Sequence, residues 1–173
     1  MTIFVAGVHG VGKTYLAKQA TLRLGLRYAT ASQLIREERG LISWSSDKQV
    51  DEVAANQEAL VAAVNRIKAD KQMLVLDGHL VLRKAIGHHQ RLPDSVFLDL
   101  GCISIILLTC PVPVVLERLA ARGDDSWSEA EMVSFAKAES ENAIAVANSV
   151  RIPLVELTAP SIEDFEMALR KIL

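Results

Sequence analysis

Eight residues near the start of the chain, Gly7-Val8-His9-Gly10-Val11-Gly12-Lys13-Thr14, constrain its fold more than any other stretch. Glycine, four residues, then Gly-Lys-Thr is the spacing of a phosphate loop. The apolar run Ile3-Phe4-Val5-Ala6 precedes it and a helical pattern follows, which is the context such a loop needs. Glycines let the backbone curl until several N–H groups point at one phosphate chain. Lys13 brings a positive charge to the outer phosphates, the Thr14 hydroxyl is placed to ligate Mg2+, and the helix N-terminus adds its dipole. The stretch predicts a nucleoside triphosphate site formed by Gly7, Gly10, Val11, Gly12, Lys13, Thr14 and the adjoining Tyr15.

Composition bounds the rest. A chain of 173 residues, half of them hydrophobic and 23% charged, fits a single domain over 1–173 with a sizeable core. No apolar run reaches membrane-spanning length, and no basic region precedes Ile3, which argues against a secretory signal. Cys102 and Cys110 lie in or beside one apolar run and read as small core residues of a reducing compartment, so a cytoplasmic protein is expected. A net charge of −2 argues against a general nucleic-acid binder. Charge is nevertheless uneven. Residues 1–40 hold Lys13, Lys18, Arg23, Arg27, Arg36 and Arg39 against Glu37 and Glu38, which suits a phosphate site. Residues 124–141 hold Asp124, Asp125, Glu129, Glu131, Glu139 and Glu141 against Lys137, and read as a solvated helix face.

Strand-like runs near Thr2–Ala6, Arg27–Thr30, Gln72–Leu76, Cys102–Thr109 and Pro153–Leu157 alternate with helical patterns. Ser32 is placed to cap a short helix through Arg39, Ser46 with Gln49 to open a longer one, Ser128 with Glu131 to open another, and Ser161 with Asp164 the last. The segment from Gly78 to Leu92 reads as irregular and basic. Five alternations predict a three-layer α/β/α fold with a five-stranded parallel sheet, whose ligands bind at the carboxyl ends of the strands.

Those ends carry the candidate chemistry. Asp77 ends the third strand, where a carboxylate holds the Mg2+ shell. Arg36 and Arg83 are candidate phosphate clamps, since guanidinium forks match phosphate oxygens in pairs. Arg118 and Arg122, four apart on one helix, permit a two-arginine grip on a nucleotide and read equally as a solvated helix face. An alcohol acceptor would call for a carboxylate base after the second strand; Ser32 stands there instead, which favours a phosphate acceptor. His9 is assigned no catalytic role, and His79 reads equally as a functional or a structural histidine. Trp44 and Trp127 lie in polar links, where they stack on a base or pack locally.

The pattern resembles the nucleoside monophosphate kinases, above all the archaeal-type adenylate kinases. Gly7–Thr14 is similar to the family's loop, and Ser32-x-Leu-x-Arg36 to the segment whose arginine holds the acceptor monophosphate. Asp77-Gly78-His79-x-x-x-Arg83 is similar to the third-strand Asp with its following His and Arg, and Glu117-Arg118 with Arg122 to the helix entering the lid. The resemblance implies the adenylate kinase-like core of P-loop NTPases, an acceptor-binding segment near 32–65 and a short lid near 123–128. Family lids carry further arginines, whereas Gly123-Asp124-Asp125-Ser126-Trp127-Ser128 has none; by analogy with arginine fingers such a loss is worth about 10³-fold.

The expectation is an ATP- and Mg2+-dependent kinase acting on a nucleoside monophosphate such as AMP, with nucleotides as its partners and no membrane. Lys13 holds the donor phosphates, Arg36 and Arg83 the acceptor, Arg118 and Arg122 the donor side. Two alternatives stand beside it: a small-metabolite kinase with an alcohol acceptor, and a slow ATPase switch that works with a protein partner or as a homo-oligomer.

Overall fold

A computed structural model of the chain describes residues 1–40, 53–70 and 72–173. The Ser46/Gln49 cap and the polar link holding Trp44 lie outside them.

Five short apolar runs form the strands β1 (Thr2–Ala6), β2 (Arg27–Thr30), β3 (Leu74–Asp77), β6 (Cys102–Thr109) and β7 (Leu154–Thr158). They pair in parallel in the order β2-β3-β1-β6-β7. The central strands are apolar on both faces because both faces are covered. Phe4 and Ala6, Leu74 and Leu76, Ile105 and Leu107 face one core; Ile3 and Val5, Val75, Ile106 and Leu108 face the other.

Helices α1 (Lys13–Leu24), α5 (Val112–Ala120) and α7 (Ile162–Ile172) supply Leu16, Ala20, Val115, Leu119, Phe165 and Leu169 to the second core. Helices α2 (Ala31–Glu38), α3 (Val53–Ala69) and α4 (Asp94–Asp99) supply Leu34, Leu60, Val64, Val96 and Phe97 to the first. The long helix α6 (Glu129–Val150) belongs to both: Met132 and Phe135 pack in the second core, Ala143, Val146 and Ala147 in the first.

Three local expectations change. Thr30, not Ser32, caps α2, its hydroxyl accepting the Gln33 N–H at 3.1 Å. Ser128 caps α6 by accepting the Glu131 N–H, but the Glu131 side chain turns away to Arg83, so the reciprocal half of that box is not made. Ser161 and Asp164 do form a full capping box on α7. The segment read as irregular between Gly78 and Leu92 is an antiparallel hairpin, β4 (Val81–Ala85) and β5 (His88–Arg91), turning at Gly87. Its alternation was masked by basic side chains on a two-stranded ribbon that stands outside the main sheet. Among the described residues no helix is long and apolar enough to cross a membrane.

Candidate active site

Strands β1 and β3 pair in the register Val5↔Asp77, so their carboxyl ends emerge side by side and deliver the phosphate loop next to Asp77. Gly7, at φ 139°, starts the loop where any Cβ would stand 2.5 Å from the Leu108 carbonyl oxygen; only glycine fits. Gly10 and Gly12 also take positive φ, and Gly12 is the N-cap of α1. The result is a backbone cradle at a helix N-terminus, the arrangement that binds phosphate.

Lys13 is buried, and its ammonium donates to the carbonyls of Gly7 (2.6 Å) and Val8 (3.1 Å). Burial lowers its pKa, while the charges of Asp77 and Glu139 oppose that shift. Thr14 Oγ1 donates to Asp77 Oδ2 at 2.7 Å, and the Tyr28 hydroxyl donates to the same oxygen at 3.1 Å. Asp77 is only 5% exposed. The Thr14 hydroxyl and the Asp77 carboxylate are hard oxygen donors, fitting a Mg2+ ion that keeps its remaining positions for water and phosphate. Among the described residues no group of three or more His, Cys, Asp or Glu stands ready to hold a metal by itself.

The cavity in front of the loop has a volume of about 1340 Å³ and is the common ground of most predicted residues. Gly10, Gly12, Lys13, Thr14 and Tyr15 line it, with Asp77, Arg36, Arg83 and Arg122. Arg36 is exposed and makes no hydrogen bond or ion pair among the described residues. Behind it, Glu38 pairs with Arg66, and Arg39 donates to Asn56 Oδ1 at 2.6 Å, fixing α2 against α3.

Other predicted residues are placed differently. The Gly7 N–H turns away from the cradle to Glu139, and the Val11 N–H donates to the Val8 carbonyl at 3.4 Å. Arg118 reaches the outside of the loop, where Nη1 donates to the carbonyls of Val11 (3.1 Å) and Gly10 (3.4 Å). Arg83 is held by four hydrogen bonds. Nε and Nη2 donate to the two Glu131 oxygens at 2.8 and 2.7 Å, and Nη1 and Nη2 to the Ser126 hydroxyl and carbonyl at 3.0 and 2.7 Å. Its guanidinium also stacks 3.9 Å from the centre of the Trp127 ring. Glu131 accepts from the Gly87 N–H as well, and the Arg83 guanidinium holds its carboxyl below the usual carboxylate range. Arg83 thus joins the hairpin to the lid segment.

The acidic stretch is not wholly solvated. Glu131 is 8% exposed and Glu139 1%, because α6 crosses from one core to the other behind the site. Glu139 and Asn142 are the residues the sequence reading missed. The available signal was their place in the spacing Phe135, Glu139, Asn142, Val146, where polar residues interrupt a buried stripe. His79 lies inside this region, its ring 4.1 Å from that of His9 and its Nδ1 3.8 Å from Glu139.

The parallel sheet, the loop and the Thr14–Asp77 pair define a phosphate-loop protein with the fold of the small P-loop kinases. The chain belongs to the AAA domain family, whose model matches residues 6–133. It is 27% identical over 123 residues to "Putative adenylate kinase" of Methanocaldococcus jannaschii, a match covering 71% of this chain and 59% of that protein. It is 29% identical over 167 residues to "Putative adenylate kinase" of Thermococcus onnurineus, covering 95% of this chain and 79% of that protein. Among solved structures it resembles shikimate kinase from Acinetobacter baumannii in complex with shikimate, with a TM-score of 0.64, 18% identity, and 99% and 91% of the two chains covered. A gluconokinase from Sinorhizobium meliloti gives a TM-score of 0.56 at 17% identity, with 99% and 90% covered.

Proposed function

We propose that the chain transfers the γ-phosphoryl group of ATP, with Mg2+, to a nucleoside monophosphate. The observation that carries this reading is the mixed lining of the cavity. Phe4, Ile35, Leu60, Leu82, Val96 and Phe97 are among its lining, apolar surface that suits a base. Arg36, exposed and lining the same cavity, supplies a fork for a monophosphate. Asp77 and Asp124 are the carboxylates that line the cavity among the described residues, and Asp77 is committed to Thr14 and Tyr28. An acceptor that is already a phosphate needs no stronger base.

In this reading the loop backbone and Lys13 hold the donor phosphates, and Thr14 with Asp77 holds Mg2+, which neutralises charge on the phosphates. Positioning and charge neutralisation are the chain's main contribution. The two "Putative adenylate kinase" relatives support the nucleotide acceptor. The second reading, an alcohol acceptor, draws on the shikimate kinase and gluconokinase likeness.

A panel of monophosphates and hydroxy acids with Mg-ATP decides between them. ADP release stimulated by a monophosphate, and weakened in Arg36→Ala with ATP affinity intact, is the expected result. Stimulation by a hydroxy compound alone gives the alcohol reading, and no stimulation by either overturns both.

A further inference from the structure

Glu139 has no part in the scheme above, yet it sits behind both of its halves. It is 1% exposed, on α6 at the point where the helix passes from one core to the other. Its carboxylate accepts backbone N–H groups from two loops. Gly7, opening the phosphate loop, donates to Oε1 at 3.1 Å. Leu80, three residues after Asp77, donates at 3.0 and 3.1 Å to the two oxygens, and Val81 to Oε2 at 2.8 Å. Asn142 secures the same segment from the next turn of α6, donating to the carbonyls of Leu80 (2.8 Å) and Leu92 (3.2 Å).

A core-filling role does not account for this side chain. An uncompensated buried carboxylate behind an anion site is costly, and an apolar residue would fill the space without that cost. What an apolar residue cannot do is accept N–H groups from two loops at once. The first loop carries Lys13 and Thr14, the second follows Asp77, and the 2.7 Å contact of Thr14 with Asp77 depends on how the two loops stand to one another. Lys13 gains as well, since the Glu139 charge opposes the effect of burial on the ammonium.

We propose that Glu139 is a positioning residue, fastening the phosphate loop to the loop after Asp77 and thereby setting metal-dependent nucleotide affinity without touching the nucleotide. The proposal is independent of the acceptor and rests only on the triphosphate site.

The test uses the full chain and titrates ATP with and without Mg2+ by calorimetry. Glu139→Gln keeps the volume but turns one acceptor into a donor facing a backbone N–H. The expected result is an affinity for Mg-ATP lowered about tenfold or more, as for other outer partners of metal ligands, with a smaller loss for ATP alone. Glu139→Asp keeps the charge with a shorter reach and recovers part of the loss. Wild-type affinities in Glu139→Gln overturn the proposal, as does an equal loss with and without Mg2+. Amide exchange on the wild-type protein gives a reading that needs no variant. Once corrected for intrinsic exchange chemistry, the Gly7, Leu80 and Val81 N–H groups, held by one carboxylate, are expected to show closely similar opening free energies across a denaturant series. A Gly7 opening free energy far below those of Leu80 and Val81 overturns the proposal.

Discussion

The two walls of the cavity are built by different means. The phosphate-loop wall is made of backbone: glycines at positive φ, a helix N-terminus, and one lysine folded onto the loop carbonyls. The lid wall is made of side chains: Arg83 from the hairpin, clasped by Glu131 and Ser126 and stacked on Trp127. A backbone wall tolerates few substitutions because its shape is its chemistry. A side-chain wall can exchange parts, and here an arginine from β4 occupies a lid segment that has none of its own. On the proposed reading the loop wall binds and the lid wall organises, and the two should fail differently when broken.

The largest effect belongs to the loop wall. Lys13→Ala removes the charge that, on the proposed reading, serves the donor phosphates, and is expected to lower turnover about 10³-fold, about 4 kcal/mol at the transition state. Thermal unfolding should shift little or rise, because the replaced ammonium is buried and burial already lowers its pKa. Steady-state kinetics beside a melting curve checks both. A stability loss matching the activity loss would erase the contrast between the walls.

On the lid wall the order reverses. Trp127 is 9% exposed and packs against Phe135 (ring centres 5.1 Å apart) and under Arg83. Trp127→Ala is expected to cost about 3 kcal/mol of stability, the scale of a buried aromatic deletion. ATP affinity should stay within about threefold, since the ring serves the clasp, not the cradle. Denaturant unfolding and ATP titration measure the two quantities, and a large loss of ATP affinity at unchanged stability would place Trp127 on the nucleotide.

Between the walls stands Glu139, whose carboxyl burial pushes up to about 7 from its ordinary value of 4.5, against the pull of the Leu80, Gly7 and Val81 N–H groups and Lys13. Between those two pH values the native state keeps a proton that the unfolded chain releases. Stability from this group is therefore fully present below about pH 4.5, is lost as pH rises towards about 7, and levels off above. His79, 3.8 Å away, and Lys13 are the other titratable groups that face it. Urea midpoints at pH 5 and pH 8 for wild type and Glu139→Gln isolate its share, expected on the order of 1–3 kcal/mol and flattened in the variant. An equal pH slope in both proteins would assign the effect to other groups.

The same division explains what the sequence disclosed. The loop wall was legible because a spacing of glycines, a lysine and a threonine dictates a backbone path, and the β6 run Cys102–Thr109 was legible because continuous apolar character dictates a central strand. The hairpin was not, since the basic run of Arg83, Lys84, His88 and His89 hid its alternation, and Arg83 and His89 meet their partner Glu131 only across the fold, on α6. Glu139 was obscured by its neighbours: Glu129 and Glu141 on the same helix are exposed, and charge counting cannot tell a carboxylate that meets water from one that meets three backbone N–H groups. Pairing between distant segments decides such cases, and no local pattern contains it.

The smallest expected effect tests the seam where the two kinds of construction meet. Tyr28 lies on β2, half-buried, and its hydroxyl shares Asp77 Oδ2 with Thr14. Burial and the Asp77 charge raise its pKa, so the phenol remains a donor throughout the working range. The bond fixes the carboxylate rotamer without contributing charge to it. Tyr28→Phe leaves the ring packing in place and removes one neutral hydrogen bond to a charged acceptor, a change of about 1 kcal/mol. The Mg2+ concentration for half-maximal activity should rise about fivefold, while turnover at saturating Mg2+ stays near wild type. A Mg2+ titration of activity at fixed ATP reads this directly. A fall in saturated turnover with unchanged Mg2+ dependence would mean that Tyr28 serves the reacting groups and not the metal carboxylate, and would move the seam from the metal side of the cavity to its centre.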